Sequence, residues 1–75
     1  MNKQRRKLAE QYIGQLQEIK ENIESLKDEE EEAYNNLPDG IQCSERGDEM
    51  SDMMDHLGDA SDSIGDAIDY LNEVL

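Results

Sequence analysis

Residues 34–47 read YNNLPDGIQCSERG, the one stretch where the apolar spacing of this chain lapses. On both sides of it apolar residues recur at alternating steps of three and four. Whether the chain is one long rod or two helices folded together is therefore decided here. Leu37-Pro38-Asp39-Gly40 carries a turn signal with a mechanism: Pro38 fixes φ, Asp39 bonds to nearby backbone, and Gly40 tolerates positive φ. Ser44 is placed to cap a following helix, with Glu45 and Asp48 close to its positive end.

Upstream, Ala9, Tyr12, Leu16, Ile19, Ile23, Leu26, Ala33 and Leu37 fall on the a and d positions of a heptad, with Glu30 as the interruption. Downstream, Met50, Met53, Leu57, Ala60, Ile64, Ala67, Leu71 and Val74 repeat the pattern without a break. The prediction is an all-α fold, a single domain over residues 1–75. It is an antiparallel two-helix hairpin of coiled-coil type, with a helix over about 3–36, a turn over 37–43 and a helix over about 45–74. Folding about Pro38–Ile41 pairs residues whose numbers sum to about 80. Leu26 then faces Met53 and Met54, Ile23 faces Leu57, Ile19 faces Ala60, and Leu16 faces Ile64. Tyr12 meets Ala67 or Ile68, and Met50 and Leu71 extend the seam at either end. A single helix–helix seam buries too little apolar area to offset the conformational entropy of 75 residues. Ile13, Tyr34, Met54, Ile68 and Leu75 at the e positions widen the apolar stripe. A second hairpin is expected to dock there, giving a dimeric four-helix bundle.

The formal charge of −13 comes from 20 Asp and Glu against 7 Lys and Arg. It disfavours direct binding to nucleic acid or an anionic membrane and makes a basic protein surface the natural partner. No apolar run approaches the ~18 residues of a membrane span, and the start, MNKQRRK, lacks the apolar stretch of a signal peptide. With Cys43 as the single cysteine, no intrachain disulfide is possible, and a cytoplasmic location is expected. Lys3, Arg5, Arg6 and Lys7 at the start of the first helix and Asp28–Glu32 near its end both oppose the helix macrodipole. In a hairpin the bases would lie beside Asp69 and Glu73, and the acids near Arg46.

The charge is organised. Residues 44–75 hold ten acids and one base, whereas the first helix has nine acids against six bases. Asp48, Asp52, Asp55, Asp59, Asp62, Asp66 and Asp69 occupy the outward c and f positions of the second helix. At 1.5 Å rise per residue their mean spacing is about 5 Å, comparable to phosphates along a nucleic-acid strand. That lies within the ~8 Å Debye length, so the charges act collectively. Glu would solvate a helix better; Asp keeps its charge near the backbone with little side-chain freedom, which suits recognition. Position b reads Ser51, Gly58, Gly65, Asn72, and Gly58 and Gly65 would let another surface approach closely. The alternative is a homo-oligomeric bundle whose acids only solvate it.

Nothing in the sequence points to catalysis or to a cofactor. His56 lacks the Glu-x-x-His partner of di-metal bundles, since position 53 is Met, so it is expected to be structural and no metal is expected. Cys43 has no activating neighbour. Met50, Met53 and Met54 are expected to be ordinary core near the turn.

The stretch NNLPDGIQCSERGDEM, followed by heptads with Ile64, Ala67, Ile68 and Leu71, resembles a group of small acidic helical proteins of Gram-positive bacteria and their phages. The pattern is an Asn-Leu-Pro turn followed by Ser44-Glu45-Arg46 and an acidic helix, and it covers about the second half of the chain. By size and charge the chain also looks like phage anti-defence inhibitors of the anti-CRISPR type that imitate DNA. The resemblance implies a helical hairpin fold and, with the charge, an inhibitor of a nucleic-acid-binding host protein.

Overall fold

A computed structural model describes residues 1–75 as an all-helical chain. Helix α1 spans Lys3–Asn35, a single helical turn α2 spans Asp39–Gln42, and α3 spans Glu45–Asn72. The long helices α1 and α3 pack along each other and α2 closes the end. The hairpin is extended: its Cα envelope measures 58 × 14 × 11 Å.

Each helix end is fixed by identifiable groups. Asn2 caps α1 through Oδ1, which accepts from the Arg5 amide at 2.8 Å. Ser44 takes the N-cap position of α3 with extended backbone, but its hydroxyl does not cap that helix and donates back to the Ile41 carbonyl instead. The C-terminal carbonyls of α1, which have no partner inside the helix, are served by Gln42. Its side-chain amide donates to the Tyr34 carbonyl at 3.0 Å and the Leu37 carbonyl at 3.2 Å.

The turn itself differs from the expected one. No residue has a positive φ, so Gly40 is not used for a left-handed position. Pro38 precedes α2 with extended backbone, and the Ile41 and Gln42 amides donate to its carbonyl. The chain thus reverses through one short helix instead of a tight β-turn. The glycine that the turn requires is Gly47, which is buried beneath α2. A Cβ there would sit 2.0 Å from the Gln42 carbonyl oxygen and 2.8 Å from that of Ile41.

The wider turn moves the register. Glu24 meets Ser61, Lys27 lies over Gly58 and Lys20 lies over Gly65, so facing residues sum to 85 instead of about 80. The exposed start of α1, before the buried Ala9, consequently reaches past the end of α3.

The seam is also rotated. Ala9, Ile13, Ser61 and Ile68 are the buried residues between the long helices. Around them Leu16, Lys20, Ile23, Lys27, Glu30 and Tyr34 of α1 are half-buried, as are Met50, Met54, Leu57, Ile64 and Leu71 of α3. These are a and e positions. Of the expected d-position seam, Ile19 is 47% exposed, Leu26 52% and Met53 56%, and Tyr12 and Val74 are exposed as well. The e residues Ile13, Met54 and Ile68, expected to receive a second hairpin, are instead used up inside this one. The cause is chemical. An a/e seam brings Lys20 and Lys27, the only bases in the middle of α1, against the acidic helix and over its smallest residues. An a/d seam would leave both lysines at its flank instead of within it.

Gly47→Ala forces a methyl group into backbone and is expected to cost at least about 1–3 kcal/mol. Gly40→Ala enters open space at a helical φ and should be neutral or stabilising by about 0.4–1 kcal/mol. Thermal melts of the two variants followed by circular dichroism distinguish Gly47 from Gly40 as the glycine the turn depends on; equal melting temperatures would refute the assignment.

A candidate acidic interaction surface

The regular helix α3 carries the aspartates outward. Asp48, Asp52, Asp55, Asp59, Asp62, Asp66 and Asp69 are all exposed, and none takes part in an ion pair or a side-chain hydrogen bond. From Asp48 to Asp69 the row extends about 32 Å at 1.5 Å per residue. A side chain with one rotatable bond fewer than Glu holds each charge close to that rod. The row is therefore a stiff line of charge that holds no ion pair.

The ion pairing of the hairpin lies elsewhere. Lys20 and Glu24, four residues apart on α1, form its single salt bridge, and the buried Ser61 hydroxyl donates to the same Glu24 oxygen at 3.0 Å. The hydrogen bond to Lys20, followed by that to Ser61, holds the Glu24 carboxyl below the ordinary carboxylate range. Lys20 is held above its ordinary range by the hydrogen bond to Glu24, against partial desolvation, with help from the charges of Glu24 and Asp62. Lys20 thus links the seam to the acidic row.

Gly58 and Gly65 serve this arrangement. Both are half-buried. A Cβ on Gly58 would lie 3.1 Å from the Lys27 ammonium nitrogen, and one on Gly65 would lie 3.3 Å from Lys20 Cε. The space above these glycines is occupied by lysine stems of the same chain. Gly65 also lines an open hollow with Lys20, Asp62, Asp66 and Asp69.

The basic start of α1 is not paired with the end of α3. Lys3, Arg5, Arg6 and Lys7 are exposed and form no ion pair with Asp69 or Glu73, and Arg46 forms none with the Asp28–Glu32 run. The register shift that leaves the α1 start overhanging accounts for the first of these. His56 is exposed and borders an open apolar groove with Leu26, Glu30, Met53 and Leu57. Cys43 is exposed at the turn. Met50 and Met54 are half-buried near the turn, while Met53 faces out. No three His, Cys, Asp or Glu side chains converge as metal ligands, and no helix is long and apolar enough to cross a membrane. Sequence reading missed Asn2, Gln42, Gly47 and Ser61. Asn2 before a helical run is a recognisable cap signal; the other three act through contacts that periodicity does not report.

No family model, curated protein or solved structure matches this chain.

Because the folded Glu24 carboxyl titrates below its unfolded counterpart, its contribution to stability is complete above the unfolded pKa. It disappears as the pH falls through the lowered folded one. Lys20, raised, contributes below its unfolded pKa and stops contributing as the pH rises through the raised one. In an NMR titration of the side-chain carboxyl carbons, Glu24 should titrate below the ordinary glutamate range, and Lys20→Met should move its midpoint upward. An unmoved midpoint would show that Lys20 is not the cause. Gly58→Ala meets only the flexible end of Lys27, so the gain in helix propensity should prevail. A stabilisation of about 0.5–1 kcal/mol is expected, and a lower melting temperature would contradict this account of the glycine.

Proposed function

We propose that the chain is a non-enzymatic acidic protein-binding module that works as a homodimer. Its aspartate row docks on the basic surface of a nucleic-acid-binding protein, taking the place of phosphates. The observation that carries this reading is the seven exposed aspartates of one regular helix, none held in an ion pair within the chain. A charge line already held straight loses little conformational entropy on docking, and a basic groove supplies the counter-charges that the chain withholds. The outward c and f positions leave the row clear of the seam, so a partner reaches it without opening the hairpin. With the resemblance to small acidic phage and Gram-positive proteins, the target class is a host defence protein, and the mode is DNA imitation of the anti-CRISPR kind, in the host cytoplasm.

Dimerisation belongs to the same reading. A folded monomer of 8.6 kDa exposes about 4,700 Å² by the usual scaling with mass, whereas this hairpin exposes 5663 Å². The excess is close to the ~800 Å² that each partner contributes to a standard interface. The exposed d positions also favour a second reading, a structural homo-oligomer whose acids only solvate it. Salt separates the two readings, since docking through the row weakens as salt rises and apolar self-association does not.

The test is a pull-down from host lysate at low and high salt, with the double variant Asp59→Lys/Asp62→Lys alongside. Nucleic-acid-binding proteins should be retained at low salt, released at high salt and lost by the double variant while its helical circular dichroism is unchanged. Equal retention by the double variant would eliminate the aspartate row as the docking surface.

A further inference from the structure

The two faces that flank the seam are chemically unlike. In an antiparallel pair the same heptad positions of both helices emerge on the same side. On one side lie the b positions, where Gly65 and the Lys20 stem adjoin Asp62, Asp66 and Asp69. On the other lie the d positions, exposing Tyr12, Ile19, Leu26, Met53 and Val74. Two open apolar grooves run along this d side. One, near the turn, is formed by Leu26, Met53 and Leu57 with Glu30 and His56 at its edge. The other, near the chain ends, is formed by Leu8, Ala9, Tyr12 and Leu71 with Met1 and Arg5.

We propose that the d face is covered by a second copy of this chain packed head to tail, with the turn of each copy beside the chain ends of the other. The proposal rests on the homodimeric reading above and adds to it the face and the orientation.

Area and shape agree with this occupant. The long and middle extents of 58 and 14 Å give the face an area of about 800 Å², their product, which matches one side of a standard interface. The start of α1 before the buried Ala9 is exposed and borders one open groove, while the groove at the turn has apolar walls and nothing across it. Head-to-tail packing brings each into the other.

Charge selects the orientation. The chain-end half of α1 carries Lys3, Arg5, Arg6 and Lys7, all exposed and unpaired; the turn half carries Asp28, Glu29, Glu31 and Glu32, all exposed, with Glu30 half-buried at the groove. Arg5 and Glu30 lie about 37 Å apart on the helix, several Debye lengths, so within one chain the two clusters do not neutralise each other. A two-fold axis crossing α1 near Gln17 and Glu18 places Arg5 of each copy over Glu30 of the other and brings Ile19 close to the axis. Turn-to-turn packing would instead gather the acid runs of both copies at one end, each over the aspartates of the other copy's α3. The aspartate row points away from the d face, so neither copy blocks the row of the other.

Cys43, the single cysteine, is exposed at the turn and reports the arrangement directly when spin-labelled. Sedimentation should give twice the chain mass, and pulsed electron paramagnetic resonance should give a separation of about 65 Å between the two labels, because the 58 Å length of the hairpin places the turn about 33 Å from the two-fold axis. Arg5→Glu should raise the dimer dissociation constant at least about fivefold, and Arg5→Glu/Glu30→Arg should restore it. A dimer whose labels lie within about 30 Å would overturn the head-to-tail arrangement while leaving the homodimer intact, since only turn-to-turn packing brings the ends of 1.5 Å-per-residue helices that close. Failure of the double variant to restore the affinity would do the same. A monomeric mass with full helicity would overturn the second copy as occupant and the homodimeric reading with it.

Discussion

The hairpin depends on how closely α1 approaches α3 around Ser61. Small residues on α3 lie beneath long cationic ones from α1: the Lys20 stem crosses Gly65, the Lys27 end reaches Gly58, and the Ser61 hydroxyl bonds Glu24 between them. The lysine stems contribute apolar contact while their ammonium groups stay in water. With one base among residues 44–75, the cations nearest the middle of the acidic helix are Lys20 and Lys27 of its neighbour. Their approach turns both helices so that e positions join the seam. The outward display of the d residues follows from the same rotation.

The reversal of direction obeys a related logic of close approach. Gly47 lets the backbone of α2 lie against the start of α3, and Gln42 uses one side-chain amide to serve two carbonyls at the end of α1. These contacts tie the three elements together over a few residues and set the centre of the fold. Because α1 is longer than α3 and the centre lies past Gln42, the surplus of α1 emerges at the chain ends. That surplus carries the basic cluster, so local turn chemistry decides where the positive charge of the molecule is presented.

The result is a rod with little interior and two distinct surfaces. No side chain is fully buried, so the stability of the isolated hairpin is spread thinly along its length and gains from any surface that covers the d residues. The row of aspartates is a different matter. It is organised by a regular helix and needs no burial to keep its spacing. Apolar residues on one side and charge on another leave the rod with two chemically separate faces.

By itself the sequence determined that the chain is helical, that the helices are two long ones with a break near Pro38, and that α3 bears an outward line of aspartates. Each of these is written in local periodicity, which 3.6 residues per turn converts directly into a face. Tertiary structure decided what periodicity leaves open: which edge of the apolar stripe meets the neighbouring helix, and at what register. The a/d and a/e choices are about one side chain apart around the helix, and apolar count does not distinguish them. Lys20 and Lys27 do, through space, by finding Gly65 and Gly58, which lie 45 and 31 residues further along the chain. For the same reason periodicity does not report that lysine stems of the same chain lie over the two glycines. The register followed Gln42 and Gly47, whose roles exist only once the chain has folded back on itself.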